Sequence, residues 1–191
     1  MAPPVIVLGV GRSGTTLLRV MLDRSSQIAI PYESFFVTPL AHRHGRRPQL
    51  DEFVDDLGRF YQLYEWGISP ERVVLTGFSA GAILTSAVVL QPDARPNYAA
   101  PIYGGPYIEV PPIPQGLPPI FLAVAQDDAS AEPLVTRFYD ALKAAGYKPE
   151  LHVFSGGGHG FGMRKQGKSS DHWIDEFYFW LESLGLTRPT K

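Results

Sequence analysis

Short apolar runs alternate along the chain with stretches in which apolar residues recur every three or four positions. Val5–Gly9 reads as a buried strand, and Leu17, Leu18, Met21 and Leu22 then repeat at helical spacing. Ile28–Pro31 is a short second strand, and helical patterning returns around Phe35–Arg43 and Asp51–Tyr64. The turn Ser69-Pro-Glu-Arg feeds a strand at Val73–Gly77. Ala80–Leu90 is almost wholly apolar and is expected to be a buried helix. Ala99–Tyr103, Ile120–Ala125 and Leu151–Phe154 are further strands. One helix is marked by Leu134, Val135, Phe138 and Leu142, another by Ile174, Phe177, Leu181 and Leu184. Strands that alternate with helices predict an α/β fold with a parallel sheet covered on both faces. The Pro-rich stretch Pro106–Pro119 is expected to be an ordered surface loop.

Composition narrows the picture. At 191 residues with 45% apolar side chains, the chain is expected to form one domain. Its formal charge of −2 gives no reason to expect nucleic acid or an anionic membrane as partner. The absence of Cys excludes a disulfide scaffold, cysteine-ligated zinc and a thiol nucleophile. No apolar stretch is long enough to cross a bilayer, and no basic region precedes a short apolar run at the N-terminus. These features lead us to expect a cytoplasmic protein. Charge is nevertheless uneven. Residues 1–50 hold six Arg against Asp23 and Glu33, a local +4, so the remainder carries −6.

Candidate chemistry centres on Gly77-Phe-Ser-Ala-Gly81, a G-x-S-x-G pattern between a β-branched strand and an apolar helix. Such a turn needs small flanking residues so that the serine hydroxyl projects above the sheet edge. The Ala80 N–H, at the helix start, then points toward a developing oxyanion. A serine nucleophile needs a base, and the base an orienting acid; in this arrangement their chain order is Ser, acid, His. His159 lies in the loop Gly156-Gly-Gly-His-Gly160 after a strand, and Asp127 and Asp128 follow another. Both sites are at carboxyl ends of parallel strands, where such centres form. We prefer Asp128 as the acid, with Asp127 capping the strand end or holding the loop. His152 is expected to be an ordinary sheet residue, and His172 a residue at the start of the last helix. His42 and His44 sit among Arg43, Arg46 and Arg47 in a solvated basic turn, so no metal site is expected.

From about Tyr64 to Leu186 the chain resembles α/β-hydrolase esterases of the acetylxylan-esterase and dienelactone-hydrolase kind. The stretches that carry the likeness are Glu65–Val73, Gly77–Gly81, the Asp127-Asp128 loop, Ala141–Tyr147, Glu150–Phe154 and Gly156–Gly162. The resemblance implies hydrolysis of small carboxylic esters by Ser79, His159 and Asp128, without a cofactor. Residues 1–63 lack the H-G-G-G loop that supplies oxyanion donors in such enzymes. Instead, Pro4–Leu18 resembles the 5′-phosphosulfate loop of sulfotransferases, with Gly9-x4-Gly14-Thr15-Thr16 as a phosphate-loop pattern. Backbone N–H groups around Ser13, Gly14, Thr15 and Thr16 then form an anion cradle. The later Arg and Ser segment that sulfotransferases use for the 3′-phosphate of their donor is not recognisable. The chain thus reads as a chimera of two segments, 1–63 and 64–191, within a single α/β domain.

Both parent folds are doubly wound, so the pieces can share one sheet. The expected result is a reduced α/β-hydrolase-like fold with six parallel strands, in order 2-1-3-4-5-6, and no lid domain. That order places the phosphate loop at the sheet edge that bears Ser79, where N–H groups at Gly11 and Arg12 would join Ala80 as oxyanion donors. The expected activity is that of a serine carboxylesterase acting on small short-acyl esters. The alternatives are a sulfotransferase-like or anion- or nucleotide-binding protein that uses the Gly9–Thr16 loop, and a folded chimera with little activity. An uncovered edge at Ile28, or the Phe35–Leu40 segment, is a candidate surface for homodimer formation.

Overall fold

The computed structural model describes residues 73–92 and 95–187. The strands and helices expected before residue 73, and the segments offered for dimer formation, lie outside the described residues. Within them four strands form one sheet: β1 (Val74–Phe78), β2 (Tyr98–Ile102), β3 (Phe121–Ala125) and β4 (Glu150–Phe154). They are hydrogen-bonded in the order β1-β2-β3-β4, and every neighbouring pair is parallel. Register runs Val74 to Tyr98 across the first pair and Phe121 to Glu150 across the last.

Two of the three connections between these strands carry a helix, and all three are crossovers, as parallel pairing demands. α1 (Ala80–Val89) links β1 to β2, α2 (Glu132–Ala144) links β3 to β4, and a 3-10 turn at Ser169–His172 leads into α3 (Trp173–Ser183). The link from β2 to β3 contains no helix or strand, as the Pro-rich run between them implies. It is pinned by Tyr147, whose hydroxyl donates to the Pro114 carbonyl at 2.9 Å and accepts the Leu117 N–H at 3.3 Å.

β3 is the most deeply buried strand, with Phe121 through Ala125 fully enclosed. A strand covered on both faces has no polar side to present, which is why Phe-Leu-Ala-Val-Ala does not alternate. On one face an aromatic cluster from α3 closes the core: Phe177 and Trp180 meet the Phe121 ring with centroids at 5.3 and 5.5 Å. α2 and α3 end alike. Gly146 and Gly185 adopt φ of +88° and +69°, and the next N–H reaches back to the carbonyl of Leu142 or Leu181. This C-terminal cap explains both Gly residues directly after an apolar repeat.

Two expectations need correction. α1 is not buried all round. It lies on the sheet through Gly81, Ala82, Thr85, Ser86 and Val89, while Leu84 is 60% exposed. A helix packed on one layer buries one face, whatever the chemistry of the other. Tyr103, read as the last residue of β2, has left the strand with φ +40°. None of the helices in the described residues is long and apolar enough to cross a membrane.

Candidate active site

The turn between β1 and α1 is dictated by close approach. A Cβ on Gly77 would overlap the Gly81 carbonyl and come within 2.6 Å of the Thr85 hydroxyl. One on Gly104, across the sheet edge, would lie 2.7 Å from the Ser79 carbonyl oxygen. Glycine at both positions lets β1, α1 and the segment after β2 meet around residue 79. Ser79 itself has φ +54° and ψ −115°, outside the regions open to ordinary side chains. Such strain costs on the order of 1–3 kcal/mol and persists only where neighbours over-determine it. Here the Ser79 N–H donates to the Ile102 carbonyl at 3.1 Å, and the Ser79 carbonyl accepts the N–H groups of Ala82 and Ile83 at 2.9 and 3.1 Å. Ala80, the first residue of α1, presents one of the N–H groups that a helix start leaves without an intrahelical acceptor.

Three side chains converge above this turn. Ser79 Oγ lies 2.8 Å from His159 Nε2, and His159 Nδ1 lies 2.7 Å from Asp128 Oδ2. The Asp128 side chain is 1% exposed and the imidazole 47% exposed. The other carboxylate oxygen of Asp128 accepts the Ser130 hydroxyl at 2.6 Å and the N–H groups of Ser130 and Ala131, each at 3.1 Å. Burial pushes the Asp128 carboxyl up, but the hydrogen bonds from Ser130, His159 and Ala131 outweigh it and hold the group below the ordinary carboxylate value. An ionised carboxylate only accepts hydrogen bonds. His159 Nδ1 is therefore the donor, and the Nε2 lone pair faces the serine hydroxyl.

The loop that carries His159 is held from two sides. The Asp127 carboxylate accepts the N–H of Gly158 at 2.7 Å and of Gly157 at 3.2 Å, with Lys168 Nζ 3.6 Å away. These bonds, that to Gly158 first, hold the Asp127 carboxyl below its ordinary value. From the other side, Gln166 Nε2 donates to the Gly157 carbonyl at 3.0 Å, and Asp171 gathers the N–H groups of Gln166 and Gly167. Gly157 passes so close to the 3-10 turn that a Cβ there would lie 2.7 Å from the Ser170 hydroxyl.

The structure thus brings Ser79, Ala80, Asp128 and His159 to one sheet edge and turns Asp127 toward the backbone of the His159 loop. It places His152 in β4 against Phe121 and Glu150, and exposed His172 at the start of α3 beside Asp175. Gly11, Arg12, Ser13, Gly14, Thr15, Thr16, His42 and His44 lie outside the described residues. Among the described residues, no group of three or more His, Cys, Asp or Glu could hold a metal ion. Ser130, whose hydroxyl also lies 3.2 Å from His159 Nδ1, was not among the expected site residues. Its signal is the Asp-x-Ser spacing ahead of α2, an Asx-type turn.

Comparison with known proteins follows this geometry. The profile of the dienelactone hydrolase family matches residues 44–180, and that of the sulfotransferase family matches residues 3–71. An acetylxylan esterase from Xylanibacter ruminicola is 26% identical over 153 residues, covering 62% of this chain and 32% of that protein. The chain therefore spans about a third of the length of that curated relative. An acetyl ester-xyloside bifunctional hydrolase from Caldicellulosiruptor lactoaceticus superposes with a TM-score of 0.70 at 22% identity, covering 98% of this chain and 85% of the other. An α/β hydrolase from a deep-sea metagenome library superposes with a TM-score of 0.68 at 18% identity, covering 95% and 84%. At these identities the structural likeness establishes an α/β-hydrolase fold.

Proposed function

This chain belongs to the dienelactone hydrolase family, and from that premise we propose that it is a serine esterase acting on short-acyl esters through an acyl-enzyme intermediate. The observation that carries the reading is the unbroken chain of 2.8 and 2.7 Å contacts from Ser79 through His159 to Asp128. In the first half-reaction Ser79 Oγ attacks the ester carbonyl carbon while its proton passes to His159 Nε2. The tetrahedral intermediate then collapses, the alcohol leaves with the proton from Nε2, and the acyl group stays on Ser79. In the second half-reaction water gives its proton to Nε2 and attacks the acyl carbonyl, releasing the acid and restoring the serine. Asp128 holds the imidazole in the working tautomer and stabilises the imidazolium formed in each half.

The oxyanion needs more than one donor. Ala80 N–H is the first, and the reading assigns the second to the backbone at Gly11 and Arg12. Each donor of this kind is worth about 2.7–4 kcal/mol of barrier. The link between β2 and β3 carries no helix to roof the site. That, with the acetyl esters named for the Xylanibacter and Caldicellulosiruptor proteins, favours acetyl esters on carbohydrate as the substrate class. Hydrolysis of a short-chain chromogenic ester by the wild type, and its loss in Ser79→Ala, tests the reading.

The match of residues 3–71 to sulfotransferases favours a second reading of the front segment alone, in which Ser13, Gly14, Thr15 and Thr16 cradle a phosphate or sulfate group. Calorimetric titration with a 3′-phosphorylated adenosine nucleotide tests it: heat of binding supports the cradle, and its absence removes it.

A further inference from the structure

We propose that Tyr103 is a positioning residue whose ring forms the wall against which His159 is held between Ser79 and Asp128. This rests on the reading of those three residues as nucleophile, base and orienting acid.

The imidazole must meet two partners at once, and the hydrogen bonds that hold its loop reach the backbone at Gly157 and Gly158, not the ring. Gly158 and Gly160 on either side have φ of +66° and +72°, and the ring is 47% exposed. Hydrogen bonds at its two nitrogens set distances but leave the tilt of the plane to be decided by packing. The packing partner is Tyr103. Its ring centroid lies 5.6 Å from that of His159, with planes at 69°. Phe161, two residues further along the same loop, meets the Tyr103 ring at 4.8 Å and 73°. His159 and Phe161 therefore both pack on one aromatic side chain, and the loop folds around it as around a post. Both contacts have the tilted, edge-on geometry that aromatic quadrupoles favour.

The post is rigid. Tyr103 is 4% exposed, and Phe78, the residue just before Ser79, backs its ring at 5.8 Å. The Tyr103 N–H donates to the Ala123 carbonyl at 2.7 Å, which fastens the residue to β3. Gly162, whose φ of +47° favours glycine, passes beside the phenol: a Cβ there would stand 3.7 Å from the hydroxyl, in ordinary contact. Burial raises the hydroxyl pKa to about 12, so the ring stays uncharged at working pH.

Most telling is the backbone. Tyr103 and Ser79 are the two non-glycine residues with positive φ among the described residues, and they are adjacent in space through the Ser79 N–H bond to the Ile102 carbonyl. A bulky side chain at φ +40° is a steric outlier. Such strain is retained where the placing of a side chain matters, and it clusters at sites of function. Leaving the strand in this way sets the ring beside His159.

The test uses the full chain and its variants Tyr103→Phe, Tyr103→Leu and Ser79→Ala, with melting curves to establish folding. Tyr103→Phe keeps the ring and is expected to retain most of kcat. Tyr103→Leu keeps an apolar branched side chain on the same strained backbone but loses the ring. Its kcat is expected to fall roughly 10- to 100-fold, the scale of a small misplacement of a reacting group, with KM nearly unchanged. The downfield proton resonance of His159 Nδ1–H should broaden in the same variant. Wild-type kcat in Tyr103→Leu, or a loss in Tyr103→Phe as large as in Tyr103→Leu, overturns the proposal. So does a raised KM at unchanged kcat. If Tyr103→Leu does not fold, Tyr103→Met, whose flexible chain fills the same space, is judged by the same outcomes. Ser79→Ala keeps the two readings apart. An inactive Ser79→Ala beside a fully active Tyr103→Leu sinks the role of Tyr103 alone; an active Ser79→Ala sinks the esterase reading and this inference with it.

Discussion

Replacing Asp128 by Asn changes one atom's chemistry and leaves the shape alone. The amide has two orientations open to it, and the surroundings choose between them. Oδ1 of Asp128 accepts three donors, the Ser130 hydroxyl and the N–H groups of Ser130 and Ala131. An amide nitrogen there would face two backbone N–H groups that cannot turn away. The Asn oxygen therefore stays on that side and its NH2 faces His159 Nδ1, where the Asp oxygen lies at 2.7 Å. A donor opposite Nδ1 forces the imidazole proton onto Nε2, which then meets the Ser79 hydroxyl as a donor and not as a base. The loss expected for a triad caught in the wrong tautomer is roughly 10⁴ in kcat, or about 5.4 kcal/mol at 1.36 kcal/mol per decade. Folding suffers far less. Three charge-assisted bonds become neutral ones, which costs about 1–2 kcal/mol. A chromogenic acetate ester reads kcat, and a calorimetric melt reads stability. A kcat within tenfold of wild type, with the fold intact, would refute the assignment of Asp128 as the orienting acid.

Other consequences are as direct. Acetate and butyrate esters should be hydrolysed faster than long-chain esters, because the link between β2 and β3 contains no helix to roof the site; initial rates over an acyl-length series show a falling trend or contradict it. Arg12→Pro deletes one backbone N–H of the phosphate-type loop and should lower kcat about 10²–10³-fold if that loop supplies the second oxyanion donor; unchanged kcat removes the loop from the reaction. Alkaline stability should depend on Tyr103. Its folded-state value of about 12 stands above the ordinary 10.0, so between these the unfolded chain binds fewer protons and stability falls as pH rises. Tyr103→Phe should flatten that decline in melting temperature above pH 10, and an identical slope in both proteins would contradict the burial of the phenol.

In the sequence β2 and β3 were legible because they are apolar runs between turn residues, and β3, enclosed on both faces, needs no alternation; β4, only partly buried, carries Glu150 and His152 and was legible from Leu151, Val153 and Phe154. The strand–turn–helix setting of Ser79 was legible too, since Gly77-Phe-Ser-Ala-Gly81 stands between a β-branched strand and an apolar helix, and the approach of the Gly81 carbonyl leaves no room for a Cβ at 77. The two adjacent aspartates were harder. Neighbouring side chains at a strand end diverge, so the residue that meets His159 depends on the turn from Ala125 to Asp128, whose N–H bond of 3.1 Å is a tertiary detail. Ser130 and Gln166 act through contacts that no local pattern announces: a common serine after an aspartate, and an amide reaching nine residues back to Gly157. Tyr103 misled the reading in an instructive way. A tyrosine after Tyr-Ala-Ala-Pro-Ile has every mark of a strand residue, and its φ of +40° with the N–H fastened to the Ala123 carbonyl is a tertiary feature that no local pattern announces.

The central claim is that Ser79 carries the acyl group. Rapid quenching of the wild-type enzyme during turnover of an acetate ester, followed by mass spectrometry of its peptides, tests it most directly. The account predicts one acetyl adduct, on the peptide containing Ser79, that decays as ester is consumed and is missing from Ser79→Ala. Turnover with no adduct at Ser79, or an adduct on another residue that forms and decays at the catalytic rate, would contradict it.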